Sequence, residues 1–127
     1  MSRPVPPDPR DCLPLSPQVF QVLLSLSDRP LHGYAIIVDI GERMGGEMPL
    51  TASTLYDALA RLLDRALIEE ADAPPAARNV AGPIKEDARR RYYALTALGR
   101  DVAEAEARRL ERLIAMARGK RLLRGRR

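Results

Sequence analysis

The sequence predicts a mostly α-helical fold with one small β-hairpin, closed by a long C-terminal helix. Three observations lead there. Only 4% of the 127 residues are aromatic, with one Phe and no Trp, so the core must be built from Leu, Ile, Val and Ala, which is a helical palette. Apolar residues recur at spacings of three and four through most of the chain. Between Leu67 and Leu95 that rhythm gives way to short runs of β character.

The elements follow in order. Residues 1–14 hold Pro4, Pro6, Pro7, Pro9 and Pro14 among charges, which predicts a flexible proline-rich arm. Ser16-Pro17 pairs a capping hydroxyl with proline at the first helical position. Val19, Phe20, Leu23, Leu24 and Ser27 then mark a short amphipathic helix, which Asp28-Arg29-Pro30 ends. A second helix is predicted from Gly33 to Met44 on the stripe Ile36, Ile37, Ile40 and Met44, stopped by Gly45-Gly46. A third starts near Thr51, with Thr51 or Ser53 as its cap and Leu55, Leu59, Leu62 and Leu63 facing inward. Two helices joined by a short glycine-containing turn make a helix-turn-helix.

Leu67-Ile68-Glu69-Glu70 and Arg91-Tyr92-Tyr93-Ala94-Leu95 read as two strands. Between them, Asp72 to Arg90 forms a long basic loop with Pro74, Pro75, Gly82 and Pro83, the wing of a winged helix-turn-helix. Thr96 caps a last helix that runs to about Arg118. Along it Ala103, Ala107, Leu110, Ile114 and Ala117 follow the alternating steps of a seam. The organisation is thus an arm (1–14), a winged helix-turn-helix (15–95), a dimerisation helix (96–118) and a basic tail (119–127). Nothing else in the chain is available to cover so narrow a stripe, so a second copy is the expected cover.

Charge is unevenly spread. Residues 1–84 carry 7 basic and 11 acidic side chains, whereas residues 85–127 carry 14 basic and 6 acidic. Such asymmetry suits a polyanionic partner, nucleic acid first among them, or else a solubilising tail. Cys12 is the only cysteine, so no disulfide framework exists and a reducing compartment is expected. No apolar run approaches the roughly 20 residues of a membrane span, and the first residues lack the apolar centre of a signal peptide. A soluble, cytoplasmic protein is expected. His32 is the only histidine, so a metal site has too few ligands, and it reads as a cap or packing residue. No nucleophile–histidine set and no glycine-rich phosphate loop is present, so neither an enzyme nor a cofactor is expected.

Several motifs now stand in a fixed order. They are His32-Gly33-Tyr34, Thr54-Leu55-Tyr56-Asp57-Ala58-Leu59-Ala60-Arg61-Leu62, Leu67-Ile68-Glu69 and Arg89-Arg90-Arg91-Tyr92-Tyr93-Ala94-Leu95-Thr96-Ala97-Leu98-Gly99-Arg100. Over roughly residues 15–117 the chain resembles the PadR family of transcriptional regulators, in its compact branch with a single C-terminal dimerisation helix. It departs from the family pattern in a longer, proline-rich wing and at Ala66, where the family usually has glycine. If that position has positive φ, alanine costs about 1 kcal/mol there.

The resemblance implies a homodimeric repressor that binds a palindromic operator in double-stranded DNA and is relieved by a small-molecule effector. Short polar side chains at the start of the third helix, Thr51, Ser53 and Thr54, are the candidates for the major groove. Tyr56, at the helix edge, is implied by resemblance to touch the sugar-phosphate backbone, and Tyr34 is a further candidate. Asp57 and Asp64 offset Arg61 and Arg65, so the third helix is nearly neutral, although Arg61 remains a candidate contact. Most phosphate attraction is therefore expected from Arg89 and Arg91, which share a strand face, and from Lys85 nearer the wing tip. Tyr93 and Leu95 are expected to pack on the helices, leaving Tyr92 partly exposed. The expected dimer interface comprises Phe20, Val102, Leu110, Leu113 and Ile114. A winged helix that binds a protein partner without specific DNA binding is the alternative, and a weak salt dependence would identify it.

Overall fold

A computed structural model describes residues 8–47, 50–74 and 91–123. Lys85, Arg89 and Arg90, with the rest of the wing over 75–90, lie outside the described residues, as do 1–7 and 124–127. Among the described residues, four α-helices surround a three-stranded sheet: α1 (Pro17–Ser25), β1 (Leu31–His32), α2 (Gly33–Met44), α3 (Ala52–Asp64), β2 (Ile68–Ala71), β3 (Tyr92–Leu95) and α4 (Ala97–Gly119). α1 packs on α2 and α4, and α2 packs on α3. Val22, Leu23, Ile36, Ile40, Leu55, Leu59, Leu67, Ile68 and Val102 are almost wholly buried between them.

Every helix start is satisfied by a side chain that its sequence supplies. Ser16 Oγ accepts from Val19 N at 3.2 Å, with Pro17 in the first turn. His32 Nδ1 accepts from Ala35 N at 3.1 Å, which leaves its ring proton on Nε2. Thr51 caps α3, and Thr96 caps α4 by accepting from Gly99 N at 2.9 Å. α2 stops at Gly45, whose φ of 59° is left-handed. α3 ends in the same conformation at Ala66, also with φ 59°. There Leu67 N donates to Leu62 O and Ala66 N to Leu63 O, both at 3.0 Å, closing a Schellman motif over the buried pair Leu62 and Leu67.

The sheet has one strand more than the sequence predicts. β3 lies in the middle of the order β1-β3-β2, antiparallel to both neighbours. Two residues are too few for a period-2 signal, so β1 is visible only through its partner. Its pairing of His32 with Tyr92 overturns the expectation of a partly exposed Tyr92. That ring is 5% exposed, because the His32 imidazole meets it edge-on at 5.3 Å.

Two further expectations are corrected. Val102 is wholly buried in the core of its own chain and so offers nothing to a second copy. Residues 8–14 are not a free arm, since Pro9–Cys12 form a 3-10 turn packed on α4. Glu106, 2% exposed, anchors this segment by accepting Leu15 N at 3.2 Å, and Arg109 closes on its carboxylate from the same helix. Those hydrogen bonds hold the Glu106 carboxyl below the usual glutamate range, the Arg109 contact contributing most.

Candidate nucleic-acid interface

The start of α3 turns its polar residues to solvent, with Thr51, Ser53 and Thr54 all exposed. Thr51 is committed to the helix: its Oγ1 accepts from Thr54 N at 3.1 Å and donates to Thr54 Oγ1 at 2.9 Å. That leaves the hydroxyls of Ser53 and Thr54 as the outward donors and acceptors of this turn. Beneath them Leu55, Ala58, Leu59 and Leu62 are buried, which fixes the rotation of the helix.

Beside that turn lies a groove lined by His32, Gly33, Tyr34, Tyr56 and Arg91. Tyr34 and Tyr56 are 62% and 52% exposed, unusual for side chains of that size. Tyr34 stacks on the His32 ring at 6.5 Å. Tyr56 lies across the first turn of α2, so close that a Cβ on Gly33 would come within 2.7 Å of its hydroxyl. Gly33 therefore lets the two helices of the helix-turn-helix meet through a tyrosine ring.

Arg91 sits at the groove mouth, where its Nε pairs with Glu70 Oε1 at 3.2 Å. The buried Tyr93 directs its phenol to the same place. Burial pushes that phenol above its usual range, with Arg91 opposing the shift and Tyr56 and Glu70 adding to it. Arg61 is exposed but lies at the far end of α3, lining a separate cleft with Cys12, Leu15, Ala58 and Arg65. The structure thus gathers Tyr34, Tyr56 and Arg91 and sets Arg61 apart from them. His32, Gly33, Glu70 and Tyr93 were not among the residues the sequence singled out for this face. The strand register carries the missing signal for the last two: Glu70 is directly opposite Tyr93, which places it diagonal to Arg91 on one sheet face.

At the far end of the molecule, Leu113, Ile114 and Met116 of α4 are 46%, 40% and 63% exposed, while Phe20 and Leu110 are half-buried. No helix among the described residues is long and apolar enough to cross a membrane.

Residues 22–105 match the model of the transcriptional regulator PadR-like family, more than half of the chain. The chain belongs to that family. Its members are transcriptional regulators and not enzymes. The chain is also 39% identical, over 92 residues, to an uncharacterized 37.1 kDa protein in transposon TN4556 of Streptomyces fradiae. That match covers 72% of this chain but only 22% of the length of the Streptomyces protein.

Among solved structures, a PadR family transcription regulator from Clostridium difficile R20291 superposes with a TM-score of 0.62 at 24% identity, covering 80% of this chain and 94% of that one. Bacillus subtilis PadR, solved in complex with operator DNA, gives a TM-score of 0.54 at 21% identity, covering 72% of this chain and 47% of that one. At such identities the likeness is one of fold. The shared fold is a winged helix-turn-helix with a long C-terminal helix.

Proposed function

We propose that this chain is a sequence-specific, DNA-binding transcriptional regulator acting in the cytoplasm as a homodimer, most simply as a repressor of a palindromic operator. The observation that carries this reading is the outward-facing set Ser53, Thr54, Tyr34, Tyr56 and Arg91, presented around the start of one helix. Hydroxyls on a first helical turn are short enough to reach base edges, while a guanidinium and phenols beside them suit the phosphate backbone. Lys85 and Arg89, the other phosphate candidates of the sequence, belong to the same reading. The operator complex of Bacillus subtilis PadR supports the choice of partner.

Two copies joined through α4, with Leu110, Leu113 and Ile114 in the seam and Phe20 beside it, would present two recognition helices roughly 34 Å apart. Release by a small-molecule effector is the regulatory half of the proposal. The lack of any Trp argues against a flat-drug site built on an indole, and thermal shifts with phenolics and planar drugs test that.

Selection of random duplex DNA by the purified protein is the deciding experiment. A palindromic consensus is expected. Recovery of no preferred sequence, with a salt-insensitive affinity for some protein, would replace this reading with that of a protein-interaction module. On the selected duplex, Ser53→Ala should alter the preferred bases, while Arg91→Ala should weaken binding without changing which bases are preferred.

A further inference from the structure

The one cation that the described residues place at the tyrosine groove is already held by a carboxylate. Arg91 and Glu70 meet at 3.2 Å, and their side chains are 68% and 55% exposed, so the pair sits on the surface where a phosphate would arrive. The contact follows from the architecture. β2 and β3 pair with Glu70 opposite Tyr93 and Ala71 opposite Tyr92, and Arg91 directly precedes Tyr92. Residues diagonal to one another across an antiparallel pair share a face and lie within reach of long side chains. Nε of the guanidinium lies against Glu70, and the Tyr93 phenol lies beside it. Glu69, its neighbour in sequence, points to the opposite sheet face by strand alternation.

A cation neutralised by a carboxylate at this distance contributes less to sequence-independent phosphate attraction than an isolated one, and such attraction supplies nearly all non-specific binding. Resting on the DNA-binding reading above, we infer that Glu70 is an autoinhibitory residue of the interface: it restrains Arg91 in the free protein, and the arginine engages a phosphate fully only when α3 seats the duplex closely enough to displace the carboxylate. That displacement is a cost borne by a closely seated duplex, so Glu70 lowers affinity for the operator at least as much as affinity for unrelated DNA. It need touch no base to do so.

Fluorescence anisotropy with a labelled duplex of scrambled sequence and with a duplex recovered by selection tests this, on the full chain, over a series of salt concentrations. Glu70→Gln is expected to tighten binding to the selected duplex about two- to five-fold, the range open to an exposed ion pair. The salt dependence should steepen by up to about one phosphate contact, a slope change near 0.9. The gain on the scrambled duplex should be smaller, because a loosely seated duplex does not have to displace the carboxylate. In an Arg91→Ala background the same substitution should do nothing, and Glu69→Gln should have a clearly smaller effect.

Weaker binding by Glu70→Gln, an equal gain from Glu69→Gln, or a gain that persists without Arg91 would each overturn the assignment. These results leave the DNA-binding reading intact. Failure of the unaltered protein to bind either duplex removes that reading, and the role of Glu70 with it.

Discussion

In the first half of α4 the inward positions Gly99, Val102 and Glu106 are buried by the chain's own sheet, α1 and N-terminal segment. In the second half Leu113, Ile114 and Met116 stand open to solvent on the same helix. One apolar rhythm runs through both halves, yet its first half belongs to the domain and its second is uncovered. The difference teaches that periodicity marks which side of a helix avoids water without saying which surface will meet it. Val102 and Leu113 looked equivalent as interface residues in sequence. They part company because the sheet ends where the helix does not.

Four experiments test this contrast. The largest effect is expected from Leu113→Glu combined with Ile114→Glu, which would place two charges in the proposed seam. Sedimentation velocity should show the dimer dissociation constant raised by about a thousand-fold, roughly 4 kcal/mol. The isolated chain should stay folded, because neither residue lies in its core. A variant as dimeric as the parent would show that the second half of α4 is not the joining surface.

In the first half, Gly99→Ala should instead cost folding stability without bearing on association. A Cβ there would stand 1.9 Å from Leu67 O, a backbone atom, so the helix start must move away from the strand. A loss of about 3 kcal/mol in urea unfolding is expected.

The Glu106 junction should come next. Glu106→Ala leaves Leu15 N and Arg109 without their acceptor, at about 2 kcal/mol. Because the folded carboxyl is held below its ordinary value, its stabilisation is complete above about pH 4.3 and fades as pH falls through the lowered folded value. Thermal unfolding of Glu106→Gln should therefore lack that part of the acid dependence. The smallest effect belongs to the turn between α3 and β2: Ala66→Gly should gain about 1 kcal/mol, since Ala66 holds a φ of 59° that glycine adopts freely.

Much of the architecture was legible in the residues because it is set locally. Ser16, Thr51 and Thr96 cap the helices they precede, Gly45 stops α2, and the exit of α3 is left-handed at the very residue where alanine replaces the family's glycine. The hydroxyls at the start of α3 could be placed outward because the leucines beneath them share one helical period. Contacts between distant segments were harder. His32 shields Tyr92 across a two-residue strand, and Leu15, at the end of the proline-rich segment, donates its N–H to a carboxylate ninety-one positions away. A buried Glu106 is invisible in a helix whose other acids face water, because its burial depends on a backbone N–H from the opposite end of the chain.

The helices, their caps and the identity of the polar turn are readable from the residues alone, since each depends on positions close together in the chain. Tertiary structure alone decided that Arg91 shares its site with Glu70, Tyr93 and Tyr56, and that Arg61 does not. Side-chain period tells which way a residue points along its own element. Only the pairing of strands and the crossing of helices fix which charges then stand within a few ångströms, where electrostatic energies become large enough to choose a partner.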